Sequence, residues 1–279
     1  MNTALVSTWK TLRTAPITGW VGLAIIVTYL IAMVFAPVIA PYGETEIVSS
    51  QFEPWGDVYL LGTDNLGRDL FSRLIYGARN TVGVALVTTI IAFLLGGVTG
   101  LLAATVQGWT DHILSRVVDV LMAIPQLIFA LLFLTIVGSS TTSVIIVIAV
   151  LDSTRVFRLA RAVAMNVVVM DYVEAARMRG EGLWWLVRRE VLPNTMAPLI
   201  AEFGLRFCFV FLFISALSFL GLGIQPPTAD WGGMVRDIAT LMTFGDVTPL
   251  LPAAAIAILT VGVNFVVDWM LHKSSGLKE

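Results

Sequence analysis

Charged side chains, the groups most able to do chemistry, are concentrated in one segment, 171–194, which reads DYVEAARMRGEGLWWLVRREVLPN within an otherwise apolar sequence. Carboxylate and guanidinium groups at this density favour ion pairs and a solvated or protein-binding surface. A membrane interior disfavours charge that is not paired or hydrated. We therefore interpret this segment as a docking element rather than as a membrane span.

No pattern in the sequence predicts an enzyme. None of the three lysines stands in a GxxxxGK[ST] phosphate-binding loop, so the chain should not hydrolyse ATP. His112 and His272 lie at predicted membrane boundaries, where a solvated side chain is the more common role. The single cysteine, Cys208, falls inside an apolar run, which excludes an internal disulfide and a thiolate metal site and favours a packing role. We expect no catalytic residue, no metal and no cofactor.

The composition places most of the chain in a membrane. Hydrophobic residues make up 57% of the sequence and charged residues 13%, and the mean hydropathy is +0.88. These values lie far outside those of soluble domains. A bilayer core of roughly 30 Å requires about 20 apolar residues per helix. We predict an all-α integral membrane protein with six transmembrane helices, at 20–39, 81–106, 118–137, 143–157, 199–222 and 250–271.

Two of these spans carry further expectations. The uncharged part of the fourth run is short and ends at Asp152, so its helix should continue beyond the apolar zone. The first run could instead be a secretory signal, since basic residues precede it. A retained helix is the better interpretation, because the run is long for a signal core and Pro37 and Pro41 are poorly placed beside a cleavage site.

The basic residues predict the orientation, because loops rich in Lys and Arg remain cytoplasmic. With both termini in the cytoplasm, twelve of the 17 basic residues, among them Lys10 and Arg13, lie inside, and segment 171–194 faces the cytoplasm. The outer side then keeps mainly Arg68, Arg73, Arg79 and Arg236. The chain divides into an N-terminal region with the first helix (1–41), an extracytoplasmic segment (42–78), a five-helix core containing 171–194 (79–271) and a cytoplasmic tail (272–279).

The two outer segments should hold short helices at the membrane surface. In the first, Leu70, Phe71, Leu74 and Ile75 lie on neighbouring faces of an amphipathic stretch that we expect to lie along the membrane. The second is 222–249.

In this second segment Pro226 and Pro227 should stop the fifth helix. Thr228 should cap a new short helix with Asp230 in its first turn, and Trp231 suits the membrane interface. This helix would lie flat on the outer face.

The charged segment itself predicts two helices separated by a turn. Asp171 is a suitable N-cap, and Glu174 stands where it would complete a capping box. Gly180 can adopt the left-handed conformation that ends a helix. A second helix should occupy 183–191 and end at Pro193, because proline lacks an amide donor. The small side chains of Ala175 and Ala176 would permit close approach of another protein.

Charged residues inside spans are costly and therefore candidates for function. Asp152 could line a solute pathway, but structural pairing with Arg155 or Arg158 is the favoured interpretation. Glu202 and Arg206, spaced i,i+4, should pair with each other.

Two further features concern helix shape and packing. Pro125 could kink the third helix for alternating access, or produce a static bend. The small residues Gly96, Gly97 and Gly100 favour tight helix packing over solute contact.

Several of these residues carry a family resemblance. Glu174-Ala175-Ala176, then Gly180, then Leu192-Pro193, resembles the EAA loop of bacterial ABC-importer permeases, which docks into a cleft on the ATPase. Together with GTDNLGRD, SFLGLGIQPPTADWG and LPN in the same order, the chain looks like the second membrane subunit of the dipeptide and oligopeptide permease family. The motifs lie between about residues 60 and 237. One departure is Glu190, where the family has a hydrophobic residue, and Val191 would take over its packing role.

The resemblance implies a type I ABC-importer permease fold in the bacterial inner membrane. It implies that Asp171, Glu174, Ala175, Ala176, Gly180, Leu192 and Pro193 form the ATPase-coupling loop. The implied partners are a homologous permease, two ATPase subunits, an extracytoplasmic solute-binding protein and the lipid bilayer, without nucleic acid. A peptide is the expected solute. The alternative is a single-chain secondary transporter, which should show several intramembrane acids and internal repeats.

Overall fold

The computed structural model describes residues 16–274, and this part of the chain is helical, with isolated β-bridges but no β-strand. Lys10, Arg13 and Lys278, which contribute to the predicted orientation, lie outside the described residues. The α-helices are α1 (Ile17–Ile39), α2 (Leu70–Gly77), α3 (Gly83–Val106), α4 (Gly108–Ala123), α5 (Gln126–Val137), α6 (Thr141–Val168), α7 (Asp171–Met178), α8 (Leu183–Leu186), α9 (Leu192–Phe219), α10 (Trp231–Ile238) and α11 (Leu250–Ser274).

Two π-helical turns join some of these helices into longer rods. The first, Ala78–Val82, connects α2 to α3, and the second, Val187–Val191, connects α8 to α9. A 3-10 turn, Ala239–Phe244, follows α10. The helix 70–77 is therefore one end of a long rod and not the separate surface helix expected from its amphipathic pattern.

Among the described residues, four helical stretches are long and apolar enough to cross a membrane: Ile17–Ile39, Leu70–Val106, Leu183–Phe219 and Leu250–His272. A fifth candidate is the pair α4 and α5, which meet at 86°. The count of six is therefore not confirmed. The fourth predicted run lies in α6, which continues past the apolar zone as expected. Its charged side chains keep α6 from counting as a candidate span.

The third predicted span, 118–137, is broken rather than continuous. Ile124 adopts an extended conformation with φ −91° and ψ 129°, as expected for a residue before proline, and Pro125 precedes the first residue of α5. Two ion pairs hold α4 against α6, Arg158 with Asp119 at 2.7 Å and Arg161 with Asp111. The proline thus produces a sharp bend, and the charged face of α4 explains why this half is not a simple apolar span.

Close contact between α3 and α6 depends on two of the three predicted glycines. A Cβ on Gly96 would lie 2.2 Å from the Ser153 carbonyl oxygen, and one on Gly100 would lie 2.7 Å from that of Phe157. The corresponding point on Gly97 has no neighbour within 4 Å. The packing prediction is confirmed for Gly96 and Gly100, and Gly97 instead faces a groove described below.

The helix after the fifth span, α10, packs against the core, with Trp231, Gly232, Met234 and Ile238 buried. Asp230, and not Thr228, caps α10 and accepts a 2.8 Å hydrogen bond from the Gly233 amide. Trp231 is 1% exposed, and its Nε1 donates to the Leu74 carbonyl at 2.9 Å. The tryptophan therefore joins α10 to α2, and the interface role expected for it is wrong.

Candidate coupling site

The coupling segment, residues 171–194, begins with α7 in a different register from the prediction. Met170 occupies the N-cap position without a side-chain hydrogen bond, and its carbonyl accepts from the amides of Val173 and Glu174. Asp171 is instead the first helical residue. The capping box is therefore absent. Asp171 and Glu174 still lie in the first turn, where carboxylates stabilise the positive end of the helix dipole.

The turn after α7 forms as the sequence predicts. Gly180 has φ +81°, and its amide donates to the Arg177 carbonyl at 2.9 Å. The Glu181 amide donates back to the Ala176 carbonyl at 3.2 Å. These two bonds are the Schellman arrangement that satisfies carbonyls at a helix end. Gly180 therefore fixes the direction in which the chain leaves α7.

The second helix of the coupling segment does not end at Pro193. Residues 183–219 form one helical rod, with Pro193 in the first turn of α9. The π-helical turn Val187–Val191 immediately precedes it, and the Asn194 side chain donates to the Glu190 carbonyl at 2.6 Å. A π turn and a side-chain donor are ways to accommodate carbonyls near a proline. The predicted stop is thus a continuous connection to the fifth span.

One face of α7 is buried in its own chain. Val173 and Ala176 are fully buried in a cluster that α3, α6 and the 183–191 region also form. Val191 is buried in the same cluster, as expected from the departure at Glu190, and Leu192 packs against it. Ala176 therefore serves internal packing, which corrects its expected place on the surface facing a partner.

The opposite face of α7 is exposed. Asp171, Glu174, Ala175 and Met178 recur at i, i+3, i+4 and i+7 on this face, and the Met178 side chain is 85% exposed. We call these four residues the outward face. A face with an apolar methionine, a small alanine and two carboxylates is suited to contact with another protein rather than with lipid.

A contact and an exposed side chain that the sequence analysis missed support this arrangement. The Arg177 guanidinium donates to the Thr105 carbonyl at 3.0 Å, in the last turn of α3, where the helix dipole favours a cation. Trp184 on α8, within the segment, is 65% exposed. Large apolar side chains such as Met178 and Trp184 within a charged segment were a signal that could have indicated a protein interface.

Asp152 does not pair with Arg155 or Arg158 as expected. Its Oδ1 lies 3.6 Å from Nη1 of Arg206 on α9. Arg206 also lies 2.7 Å from Glu202, so the predicted i,i+4 pair is confirmed. The carboxyl group of Asp152 therefore faces α9 within the chain.

An apolar groove with a cavity of about 630 Å³ lies between α3 and the 183–203 region. Its lining includes Phe93, Gly97, Leu192 and Phe203, together with one charged side chain, Arg188. The Phe93 and Phe203 rings contact each other edge to face, with centroids 5.1 Å apart.

Polar contacts that the sequence analysis did not predict organise the end of the bundle opposite the coupling segment. Asp64 is buried and accepts from Arg68 at 2.7 Å, with Arg73 Nε 3.3 Å away. Asp230 accepts from the Thr81 hydroxyl at 3.0 Å, and burial raises the pKa of Asp230 despite these donors. Asp64 and Asp230, which belong to the GTDNLGRD and SFLGLGIQPPTADWG motifs, therefore form polar contacts that tie both outer segments to the bundle.

Comparison with known proteins places these features in a family. Residues 96–273 match the model of the family described as binding-protein-dependent transport system inner membrane component. The chain is 35% identical over 254 residues to the di/tripeptide transport system permease protein DppC of Pseudomonas aeruginosa, covering 88% of this chain and 84% of that protein. It is 32% identical over 208 residues to the glutathione transport system permease protein GsiD of Pectobacterium atrosepticum, covering 75% and 69%.

Solved structures show the same fold. A chain of the methionine ABC transporter MetNI in an inward-facing conformation matches with a TM-score of 0.59 and 18% identity, covering 72% of this chain and 95% of that one. An amino acid ABC transporter crystallised with histidines matches with a TM-score of 0.53 and 19% identity. The likeness confirms the type I permease fold expected from the motifs.

Proposed function

The chain belongs to the family of binding-protein-dependent transport system inner membrane components, and from this premise we propose that it moves peptides or related small solutes and is driven through its coupling segment. It is a multi-pass membrane permease subunit of an ABC importer and is not itself catalytic, since partner subunits of such transporters hydrolyse ATP. Relatives named as di/tripeptide, dipeptide and glutathione permeases support a peptide-like solute.

The proposed assembly contains this chain, a homologous permease, two ATPase subunits and an extracytoplasmic solute-binding protein. The family description implies a binding protein and an ATPase in general terms. The pairing with a second permease, the number of ATPases and the cytoplasmic position of both termini are parts of this proposal. The single-chain carrier gains no support, because the relatives named above are permease components of multi-subunit systems.

The outward face of α7 is the observation that carries the coupling role. Asp171, Glu174, Ala175 and Met178 are exposed, while Val173 and Ala176 on the other face attach α7 to the bundle. A rigid helix held on one side and exposed on the other can receive a push from a partner and transmit it to α6 and α9. Gly180, Leu192 and Pro193 act in this proposal by fixing the turn and the connection to the fifth span.

ATP-dependent uptake into membrane vesicles that hold the complete importer tests this function. We expect Glu174→Lys to abolish uptake, because it reverses charge at the centre of the outward face, while the binding protein still binds the solute. Glu181→Lys, a charge reversal just after the turn and off the outward face, is the matched control and should retain uptake. Full uptake by Glu174→Lys would contradict the coupling role, and solute movement by the purified chain along an ion gradient would favour the carrier.

A further inference from the structure

A charge pair inside the bundle joins the two helices that flank the coupling segment. Asp152 on α6 is 1% exposed, and its Oδ1 lies 3.6 Å from Nη1 of Arg206 on α9. Glu202 lies one turn before Arg206, with Oε1 2.7 Å from the guanidinium Nε. The Arg206 Cζ also lies 4.6 Å from the centre of the Phe209 ring. Arg206 is thus oriented from its own helix and reaches across to α6.

The pair is distinct from the other ion pairs in the described part of the chain. Within residues 16–274, the remaining pairs lie in the outer segments or join α4 to α6, and none of them links α6 to α9. The helices α6 and α9 otherwise meet through apolar packing. Asp152 and Arg206 therefore provide the one ionic connection between the two arms within this range.

The pair lies far from the coupling segment along both arms. At about 1.5 Å per helical residue, Asp152 is about 24 Å from the end of α6 at Val168, and Arg206 is about 21 Å from the start of α9 at Leu192. The two arms and the coupling segment thus form a long hairpin, with the segment at its tip and the charge pair across its middle.

The connection lacks hydrogen bonds. Asp152 Oδ1 and Arg206 Nη1 are buried, lie 3.6 Å apart and make no hydrogen bond, while Arg206 Nε has only its ion-pair contact with Glu202. Buried charges without hydrogen bonds are expensive to maintain, particularly at membrane depth, and such residues commonly have a functional role. Packing alone would hold the helices at lower cost, so the cost of the pair calls for another explanation.

We propose that Asp152 and Arg206 are positioning residues for energy coupling: their charge pair makes α6 and α9 move together when the coupling segment is displaced. This proposal rests on the proposed docking role of the outward face. Without the pair, motion of the segment would slide one arm along the other, and part of the displacement would be lost before it reached the solute pathway.

The test is the amount of solute transported per ATP hydrolysed, measured with the complete importer in proteoliposomes. We expect Asp152→Asn and Arg206→Gln to retain ATP hydrolysis stimulated by the binding protein while transport per ATP falls about fivefold or more, a typical size for coupling between sites. Arg206→Lys, which keeps the charge, should recover most of the ratio. Arg155→Gln removes an exposed guanidinium from α6 and is the matched control with an unchanged ratio.

The double variant D152N/R206Q guards against loss of folding, because it removes both charges of the Asp152–Arg206 pair together and leaves only the less buried Glu202 without its partner. A low ratio in an assembled double variant supports the proposal. A wild-type ratio in the double variant or in both single variants would overturn it, as would an Arg206→Lys protein as defective as Arg206→Gln. Glu174→Lys, measured in the same proteoliposomes, distinguishes the docking proposal from the charge-pair proposal. It should block transport completely if the outward face docks the ATPase, independently of the role of the charge pair.

Discussion

Gly180 is the residue on which the shape of the coupling segment most depends. Its φ is +81°, a conformation that glycine adopts at little free-energy cost. The two hydrogen bonds that end α7 require this conformation. A Cβ added there would meet nothing within 4 Å, so any effect of substitution comes from the backbone and not from a clash. The position can therefore be tested without disturbing the packing.

We expect Gly180→Val to destabilise the turn by about 1–2 kcal/mol or more, because a β-branched residue disfavours positive φ. ATP-dependent uptake should fall steeply while the amount of protein in the membrane is retained. Gly182→Ala is the matched control, since Gly182 also has open space around it and has φ −73°. Equal uptake by the two variants would show that the turn conformation is irrelevant to coupling.

Arg177 offers a second test at single-residue scale. Its bond to the Thr105 carbonyl involves a charged donor, and such bonds contribute about 1.5–3 kcal/mol. We expect Arg177→Gln to loosen α7 from α3, measured as faster amide exchange in 171–178 and as reduced uptake. Arg179→Gln, which removes a neighbouring arginine without a hydrogen bond of this kind, should change neither. Unaltered amide exchange in Arg177→Gln would show that this bond does not anchor α7 to α3.

At the scale of elements, α7 is a short helix held on α3, α6 and the 183–191 region. A helix of two turns is marginal alone, so it depends on the buried face formed by Val173 and Ala176. The arms behind it depend on close packing of α3 with α6 at Gly96 and Gly100. A push on α7 is therefore delivered to helices that cannot separate without opening this contact.

Gly96→Ala should lower the thermal stability of the purified protein in detergent. Its Cβ would lie 2.2 Å from a backbone oxygen of α6, and overpacking of this kind costs about 1–3 kcal/mol. Gly97→Ala introduces the same group one residue away, where nothing lies within 4 Å, and should leave the melting temperature unchanged or slightly higher. The reverse order of the two melting temperatures would contradict the packing described for α3.

The sequence predicted most elements but not how they are joined. Hydrophobic runs located the helices, and Gly180 ended α7 as its conformational freedom predicts. The predicted helix stop at Pro193 and the predicted separate helix at 70–77 were wrong, because π-helical turns connect these parts to the next helix. Local helix propensity does not predict such turns.

The predictions of the α7 N-cap and of the partner of Asp152 were wrong for a different reason. A capping residue depends on where the preceding chain leaves the core, and Arg206 is distant in sequence from Asp152. Spacing along one helix predicted the Glu202–Arg206 pair, since both residues belong to that helix. Contacts between helices follow from packing, which no single stretch of sequence encodes.

Within the described residues, one end of the bundle is fixed by polar contacts and the opposite end exposes the coupling segment. Asp64 with Arg68, and Asp230 with Thr81, tie the outer segments to the bundle. The helices α3, α6 and α9 connect this end to α7. Motion imposed at the end that carries α7 would therefore reach the opposite end through continuous helices.

The proposed orientation can be read by cysteine labelling in whole cells. In a Cys208→Ser background, a cysteine in place of exposed Ile47 should react with a membrane-impermeant maleimide from outside, while one in place of exposed Trp109 should react only after the cells are opened. The opposite pattern would place 171–194 on the outer side and remove the coupling role.

The central claim is that the outward face of α7 contacts the ATPase, and site-specific cross-linking tests it most directly. A photoreactive cysteine label at Met178, in the Cys208→Ser background of the assembled importer, should cross-link to the ATPase subunit with a yield that changes when ATP is added. The same label at Trp109, equally exposed at 83%, should not. An account in which α7 couples transport to ATP would be contradicted if Met178 gave no ATPase cross-link, or only the yield seen at Trp109.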